Sequence, residues 1–154
     1  MAHQQQSNNI LDAVQLLADH GFDEMSQALQ ILFNEAMKLE RSEYLGAEPY
    51  QRSVTRRSYA NGFKPRSFQT AVGKINLQVP QVRDSDTTFR TSLLEKGSRS
   101  DRSLKAAIAT MYVQGVSTRR VTQVMKELCG FDVSSGQVSK LTSELDAEFK
   151  KWRS

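Results

Sequence analysis

Residues Ser103–Trp152 read SLKAAIATMYVQGVSTRRVTQVMKELCGFDVSSGQVSKLTSELDAEFKKW, and their apolar spacing divides the stretch into three consecutive helices. Leu104, Ile108, Met111 and Tyr112 recur at helical intervals until Gly115. Ser117 is placed to cap a second helix, whose inner face is Val121, Val124, Met125 and Leu128 and whose end is Gly130. Phe131-Asp132-Val133 leads into the third, where Ser134 and Gln137 have capping-box spacing. Its inner face is Val138, Leu141, Leu145, Phe149 and Trp152. Three helices with a tight link between the last two is the layout of a helix-turn-helix domain.

In that layout the last helix lies in the major groove and its first turns meet base edges. Ser135, Gly136, Gln137, Ser139, Lys140 and Ser143 fall away from the inner stripe, and all are small or hydrogen-bonding. Such a face can approach a groove closely; Lys140 can donate to guanine or phosphate, and Gln137 can pair with adenine. Arg119 and Arg120 stand in the first turn of the preceding helix, where the helix dipole disfavours cations, so an anionic partner accounts for them better than helix stability. Trihelical units also occur in proteins that never meet nucleic acid. The alternative function is therefore a non-catalytic helical interaction protein.

Upstream, the chain changes character. Residues 49–102 form a basic linker in which Arg52, Arg56, Arg57, Lys64 and Arg66 interleave with Tyr50, Tyr59, Phe63 and Phe68. Asn61-Gly62 and Pro65 exclude a helix there. A short β-hairpin follows, with alternation from Phe68 to Val72, a turn at Gly73-Lys74, and alternation again from Ile75 to Val79. A two-stranded ribbon is marginal alone and needs a helix, another chain or DNA against one face. From Arg83 to Arg102 the composition predicts an extended linker anchored only by Leu93-Leu94. Arg56, Arg57, Lys64, Arg66, Arg99 and Arg102 are the candidate phosphate contacts.

Residues 1–48 read as a helical pair. Ile10, Val14, Leu17 and Ala18 mark the first helix, and Gly21 stops it. The second is capped by Asp23, carries Met25, Ala28, Leu29, Leu32, Phe33, Ala36 and Met37, and ends near Gly46. Such a pair can pack against the rest of the chain or serve dimerisation. The fold class expected is mainly α: an N-terminal helical pair, a small hairpin in a basic linker, and a trihelical domain over 103–154.

Charge follows the same divisions. Residues 1–40 hold one basic and six acidic side chains, a net of −5; residues 41–105 hold thirteen against six, a net of +7. Local cationic clusters displace counterions from a phosphate backbone, so this asymmetry is compatible with a polyanionic partner, and charge alone leaves a merely solvated surface as an equal alternative. A hydrophobic content of 38% with 8% aromatics leaves any core thin. No apolar run approaches the roughly 20 residues of a membrane span, and the Gln-rich start lacks the layout of a secretory signal. Cys129 is the single cysteine. These features predict a cytoplasmic, nucleoid-associated protein without membrane contact.

Catalytic chemistry is not apparent. Asp84 and Asp86 lie in a polar turn-like stretch, Glu144 and Glu148 share a helix face with Lys140 and Lys151 nearby, and Asp146 stands between them. His3, His20 and Cys129 are too scattered for zinc. No Gly-rich phosphate loop or Ser/His/Asp arrangement is present.

From about Ser67 onward the chain resembles the bacterial mutator-type transposases, relatives of the plant Mutator-like elements. The matching features are Thr70 and Gly73 before a strand ending at Val79-Pro80, the junction Gly115, Ser117 and Arg119, the helix start Ser135 with Val138-Ser139, and Trp152. Gln81 departs from the family, which has Arg directly after Val-Pro; Arg83 stands nearby. The resemblance implies double-stranded DNA as partner, through the terminal inverted repeats of a mobile element. It also implies strand cleavage by an RNase H-like domain in which three carboxylates hold divalent ions such as Mg. That domain would begin beyond Trp152, so this stretch is expected to be non-catalytic and to carry no cofactor. Homodimers, or heterodimers that inhibit a full-length transposase, complete the expectations.

Overall fold

The computed structural model describes residues 2–83, 86, 88–96, 100–130 and 132–153. Its elements are helix α1 (Ala2–His20), a short 3-10 turn (Gly21–Glu24), α2 (Met25–Leu45), strands β1 (Tyr59–Thr70) and β2 (Gly73–Arg83), then α3 (Arg102–Val113), α4 (Thr118–Cys129) and α5 (Ser135–Arg153). The fold is mainly helical, with one two-stranded antiparallel hairpin between the two helical groups. Two compact units result: residues 1–68 with 75–98, and residues 69–74 with 99–154.

The second unit is the trihelical one. Asp101 starts it, accepting from the Leu104 amide at 2.6 Å to cap α3 while its other oxygen takes the Ala71 amide at 3.0 Å. One carboxylate therefore begins a helix and holds the hairpin tip, and the Gln69–Ser100 bridge lies alongside. Leu104, Ile108, Val121, Met125, Val133 and Val138 form the buried core, with Met111, Val116, Cys129 and Leu141 around it. Ser117 caps α4 through the Arg120 amide, and Gly130 closes it in the left-handed conformation. Leu128, expected inside, is 70% exposed because Cys129 takes the inner position one turn beyond Met125. The side chains of Phe149 and Trp152, also expected inside, lie outside the described residues.

In the first unit α2 is the organising helix. Phe33 and Met37 pack with Phe68, Ile75, Leu77, Val79 and Leu94. The side chains of Gln30 and Asn34, one turn apart, accept the Asn76 and Gln78 amides at 2.8 and 2.9 Å. These are donors on the open edge of β2, which would otherwise need water or another strand. Glu40 accepts the Thr91 hydroxyl at 2.5 Å and the Ser92 amide at 2.6 Å. The stretch expected as an extended linker is thus held to α2, with Leu94 buried and Leu93 exposed. On α1, Asn9 donates to Glu35 at 2.8 Å, and Lys38 pairs with the same carboxylate oxygen at 2.6 Å.

Four local expectations are corrected. The hairpin is longer than its alternation indicated, and it turns at Ala71-Val72 rather than Gly73-Lys74. Asn61-Gly62 and Pro65 sit within β1, because each strand of a two-stranded ribbon has an open edge that tolerates a missing donor, and Gly62 takes φ +70°. Asp23 lies in the 3-10 turn and does not cap α2; Glu24 occupies the cap position without a side-chain bond. On α1 the packed face is Ala13, Leu16 and Leu17, while Ile10, Val14 and Ala18 are exposed. The apolar surface of that helix is wider than one stripe, and α2 covers only part of it.

Burial alone would raise the Glu40 carboxyl, but hydrogen bonds from Ser92 and Thr91 outweigh it and hold the group below its ordinary value. Folded Glu40 then binds fewer protons than unfolded Glu40. Its stabilisation is present above the ordinary carboxylate range and is lost as pH falls through the lower folded value. Glu40→Gln is expected to cost about 1–2 kcal/mol at neutral pH and to flatten the acid limb of a stability–pH profile measured by urea denaturation.

Candidate nucleic-acid interface

The start of α5 is built by its cap. The Gln137 amide donates to Ser134 Oγ at 3.2 Å, and Gln137 Oε1 accepts the Ser134 amide at 3.2 Å, which is the reciprocal capping box read from the spacing. Val138 is fully buried and fixes the rotation of the helix, leaving Ser135, Gly136, Ser139, Lys140 and Ser143 exposed on one side. Gln137 is half-buried, and with its oxygen committed to the cap only its amide nitrogen remains for an outside acceptor. Gly136 has no structural demand upon it: its φ is ordinary for a helix, and an added Cβ would meet only Ser134 Oγ at 3.9 Å.

Arg119 and Arg120 are exposed at the first turn of α4. With Ser117, Gln123, Val124 and Glu127 they line an open cavity of about 370 Å³. Gln123 and Glu127 are absent from the sequence reading, since nothing in the spacing marks one outward face of α4 over another. Arg102, at the start of α3, is exposed but engaged in an interaction within the protein. Arg99 lies outside the described residues.

The first unit contributes the remaining cations. Arg57 and Lys64 are exposed. Arg56 instead braces its own loop, donating to the Gln51 and Ser58 carbonyls at 2.9 and 3.1 Å with its guanidinium over the Tyr59 ring. Arg66 is half-buried and engaged. Arg52 is exposed in the same loop. From Pro49 to Arg83 the sequence carries seven cations and no carboxylate. Tyr50 is the one non-glycine residue at positive φ among the described residues, at 61°. Such a conformation costs about 1–3 kcal/mol and persists only where surrounding structure enforces it.

Other chemistry finds no support in the geometry. Among the described residues no three His, Cys, Asp or Glu side chains gather as a metal ion would require. Burial and the Asp101 charge push the Cys129 thiol upward, away from the reactive thiolate. Asp146 accepts the Tyr112 hydroxyl at 3.2 and 3.1 Å, a contact between α5 and α3. Among the described residues no helix is long and apolar enough to cross a membrane.

The profile described as "Transposase, Mutator family" matches residues 1–154, extending the resemblance read from Ser67 onward to the whole chain. The transposase for insertion sequence element IS406 of Burkholderia multivorans is 50% identical over 99% of this chain and 39% of its own length. The transposase for insertion sequence element IS256 in transposon Tn4001 of Staphylococcus aureus is 40% identical over 85% of this chain and 33% of its own. The transposase for IS1081 of Mycobacterium tuberculosis is 32% identical over 96% of this chain and 36% of its own. The chain therefore spans between a third and two-fifths of these relatives.

Two glycines separate structural from surface constraint. Gly46 stands at φ +69° and an added Cβ would come within 2.6 Å of the Thr55 carbonyl, so Gly46→Ala is expected to destabilise by about 1–3 kcal/mol. Gly136→Ala is expected to leave the thermal midpoint unchanged or raise stability by up to about 1 kcal/mol. Thermal unfolding followed by circular dichroism compares the two directly.

Proposed function

Because this chain belongs to the Mutator family of transposases, we propose that it is a DNA-recognition portion of such an enzyme, binding the terminal inverted repeats of its element. The observation that carries this reading is the leading face of α5. It is exposed and small-to-polar, with a glycine that neither backbone conformation nor packing explains. In a helix-turn-helix that face meets base edges, and every Cβ removed lets the helix sit deeper. Lys140 donates to a base edge or phosphate, Ser135, Ser139 and Ser143 offer hydroxyls, and the Gln137 amide nitrogen reaches an acceptor. Arg119 and Arg120 hold the backbone from α4. Arg57 and Lys64 add sequence-independent phosphate contacts. This binding takes place in the bacterial cytoplasm, on chromosomal or plasmid DNA.

Among the described residues no three His, Cys, Asp or Glu side chains gather to hold the divalent ion that the family resemblance implies. We assign strand cleavage and joining to the part of family members that this chain does not match. Self-association is a second element of the proposal, supported by exposed Leu11, Val14 and Phe22 along α1 and the turn after it. Leu11→Glu with Val14→Glu is expected to shift a concentration-dependent dimer to monomer in sedimentation equilibrium; a chain monomeric at all concentrations defeats that element.

Binding to a duplex bearing the terminal repeat, compared with a scrambled duplex across a salt titration, tests the main reading. The repeat is expected to be preferred by about a hundredfold or more at physiological salt. Gly136→Ala and Lys140→Ala are each expected to lower repeat affinity about tenfold, equivalent to about 1–3 kcal/mol, and to leave scrambled binding less affected. Equal binding to both duplexes that vanishes with salt would overturn sequence recognition.

A further inference from the structure

Between α2 and β1, residues 46–58 form a loop held by its own hydrogen bonds. The Thr55 hydroxyl donates to the Gly46 carbonyl at 2.9 Å, and the Arg57 amide to the Leu45 carbonyl at 2.9 Å, closing the neck. The Glu48 amide donates to Gln51 Oε1 at 3.0 Å, and Ser53 and Thr55 bond each other at 2.6 Å. Arg56 ties the Gln51 and Ser58 carbonyls together and lies over Tyr59. Glu48, the loop's one carboxylate, has an oxygen buried within the protein. Ala47 is buried, but two larger apolar side chains point outward. Tyr50 is 100% exposed and Val54 107%, the two most exposed large hydrophobic side chains described.

Ordinary folding places such side chains the other way round, since burying them is favourable and displaying them is not. Here the display is enforced. Tyr50 is held at φ 61°, a backbone region that a bulky side chain avoids, by a loop braced on both sides of it. Strain maintained by surrounding bonds marks positions kept for contact with something else. What that partner is follows from charge. Arg52 and Arg57 are exposed in the same loop, and no carboxylate occurs between Pro49 and Arg83. An aromatic side chain set beside exposed arginines matches the chemistry of bases beside phosphates.

We infer that the 46–58 loop is a second DNA contact, at which the Tyr50 ring stacks against bases, with Val54 beside it, while Arg52 and Arg57 hold the flanking phosphates. The inference rests on the DNA-binding reading above and extends it from the trihelical unit to the first unit. It assigns the loop a stacking role where charge alone would give only phosphate attraction. An apolar wedge of this kind partly unstacks a base step in a duplex.

The test uses the whole 154-residue chain and a terminal-repeat duplex in which adenines are replaced one at a time by 2-aminopurine, whose fluorescence rises when it unstacks. The unaltered protein is expected to raise the signal at one step. Tyr50→Ala is expected to abolish that rise and to weaken binding about fivefold to a hundredfold, with the slope of log K against log salt unchanged. Tyr50→Trp retains both signals. Arg52→Ala reduces the salt slope by about one and leaves the 2-aminopurine response in place. Tyr50→Gly, which relieves the positive φ, is expected to raise the thermal midpoint while losing affinity, separating contact from folding. Tyr50→Ala binding within twofold of the unaltered chain, with the same fluorescence, overturns the stacking role and leaves the DNA-binding reading standing. A chain that binds neither duplex overturns both. Binding of Tyr50→Ala to DNA unchanged while an acidic protein partner is lost would reassign the loop to that partner.

Discussion

A two-stranded ribbon cannot hold itself together in water, and the first unit is organised around meeting that requirement. The ribbon has one apolar face and two open edges. Helix α2 serves both needs with residues on adjoining faces: Phe33 and Met37 cover the apolar side, while Gln30 and Asn34 take the Asn76 and Gln78 amides. Each such bond contributes only about 1 kcal/mol net, but an unmatched buried donor costs more than that. The same helix extends to Glu40, which holds Thr91 and Ser92, and through Leu45 and Gly46 to the loop that displays Tyr50. The cationic segment is therefore not a tether between folded parts. Within the first unit it is packed and hydrogen-bonded against α2.

The second unit uses a different economy of parts. Asp101 caps α3 and holds the Ala71 amide, so one side chain sets the start of the helices and the place of the hairpin tip. Ser117 and the Ser134–Gln137 pair repeat the capping device at the next two helices. Because the caps satisfy backbone donors at each helix start, few apolar residues suffice to define the rotation of α5, and Val138 decides which face remains outside. The polarity of that face follows from a small core, and its small side chains then become available for recognition.

Cations named together by sequence have different duties in the structure. Arg57 and Lys64 are exposed, whereas Arg56 and Arg66 are engaged inside the protein. Arg41, which charge counting treats as one more basic residue, is buried with its guanidinium over Phe63 and a bond to the Gly62 carbonyl at 3.0 Å; desolvation lowers its pKa. A guanidinium offers planar stacking as well as charge, and here the stacking fastens β1 to α2. Net charge thus does not say which cationic side chains are engaged within the protein and which are exposed.

Periodicity and turn signals were enough to place five helices and a hairpin in order along the chain and to give the outward face of α5, though not the hairpin's turn or length. Those signals are local: a helix stripe, a Ser-x-x-Gln box and a left-handed glycine act within one or two turns. The Transposase, Mutator family assignment was legible for a related reason, since its marks are turns and caps spaced along the chain. Long-range contacts were not legible. The full length of β1, the exposed half of α1 and the duty of Glu40 depend on partners tens of residues away, as in the Thr91–Glu40 bond. Sequence specifies which surfaces are apolar or charged. Only the tertiary structure decides which are used up in holding the fold and which are left for another molecule, because that depends on what each side chain finds across space.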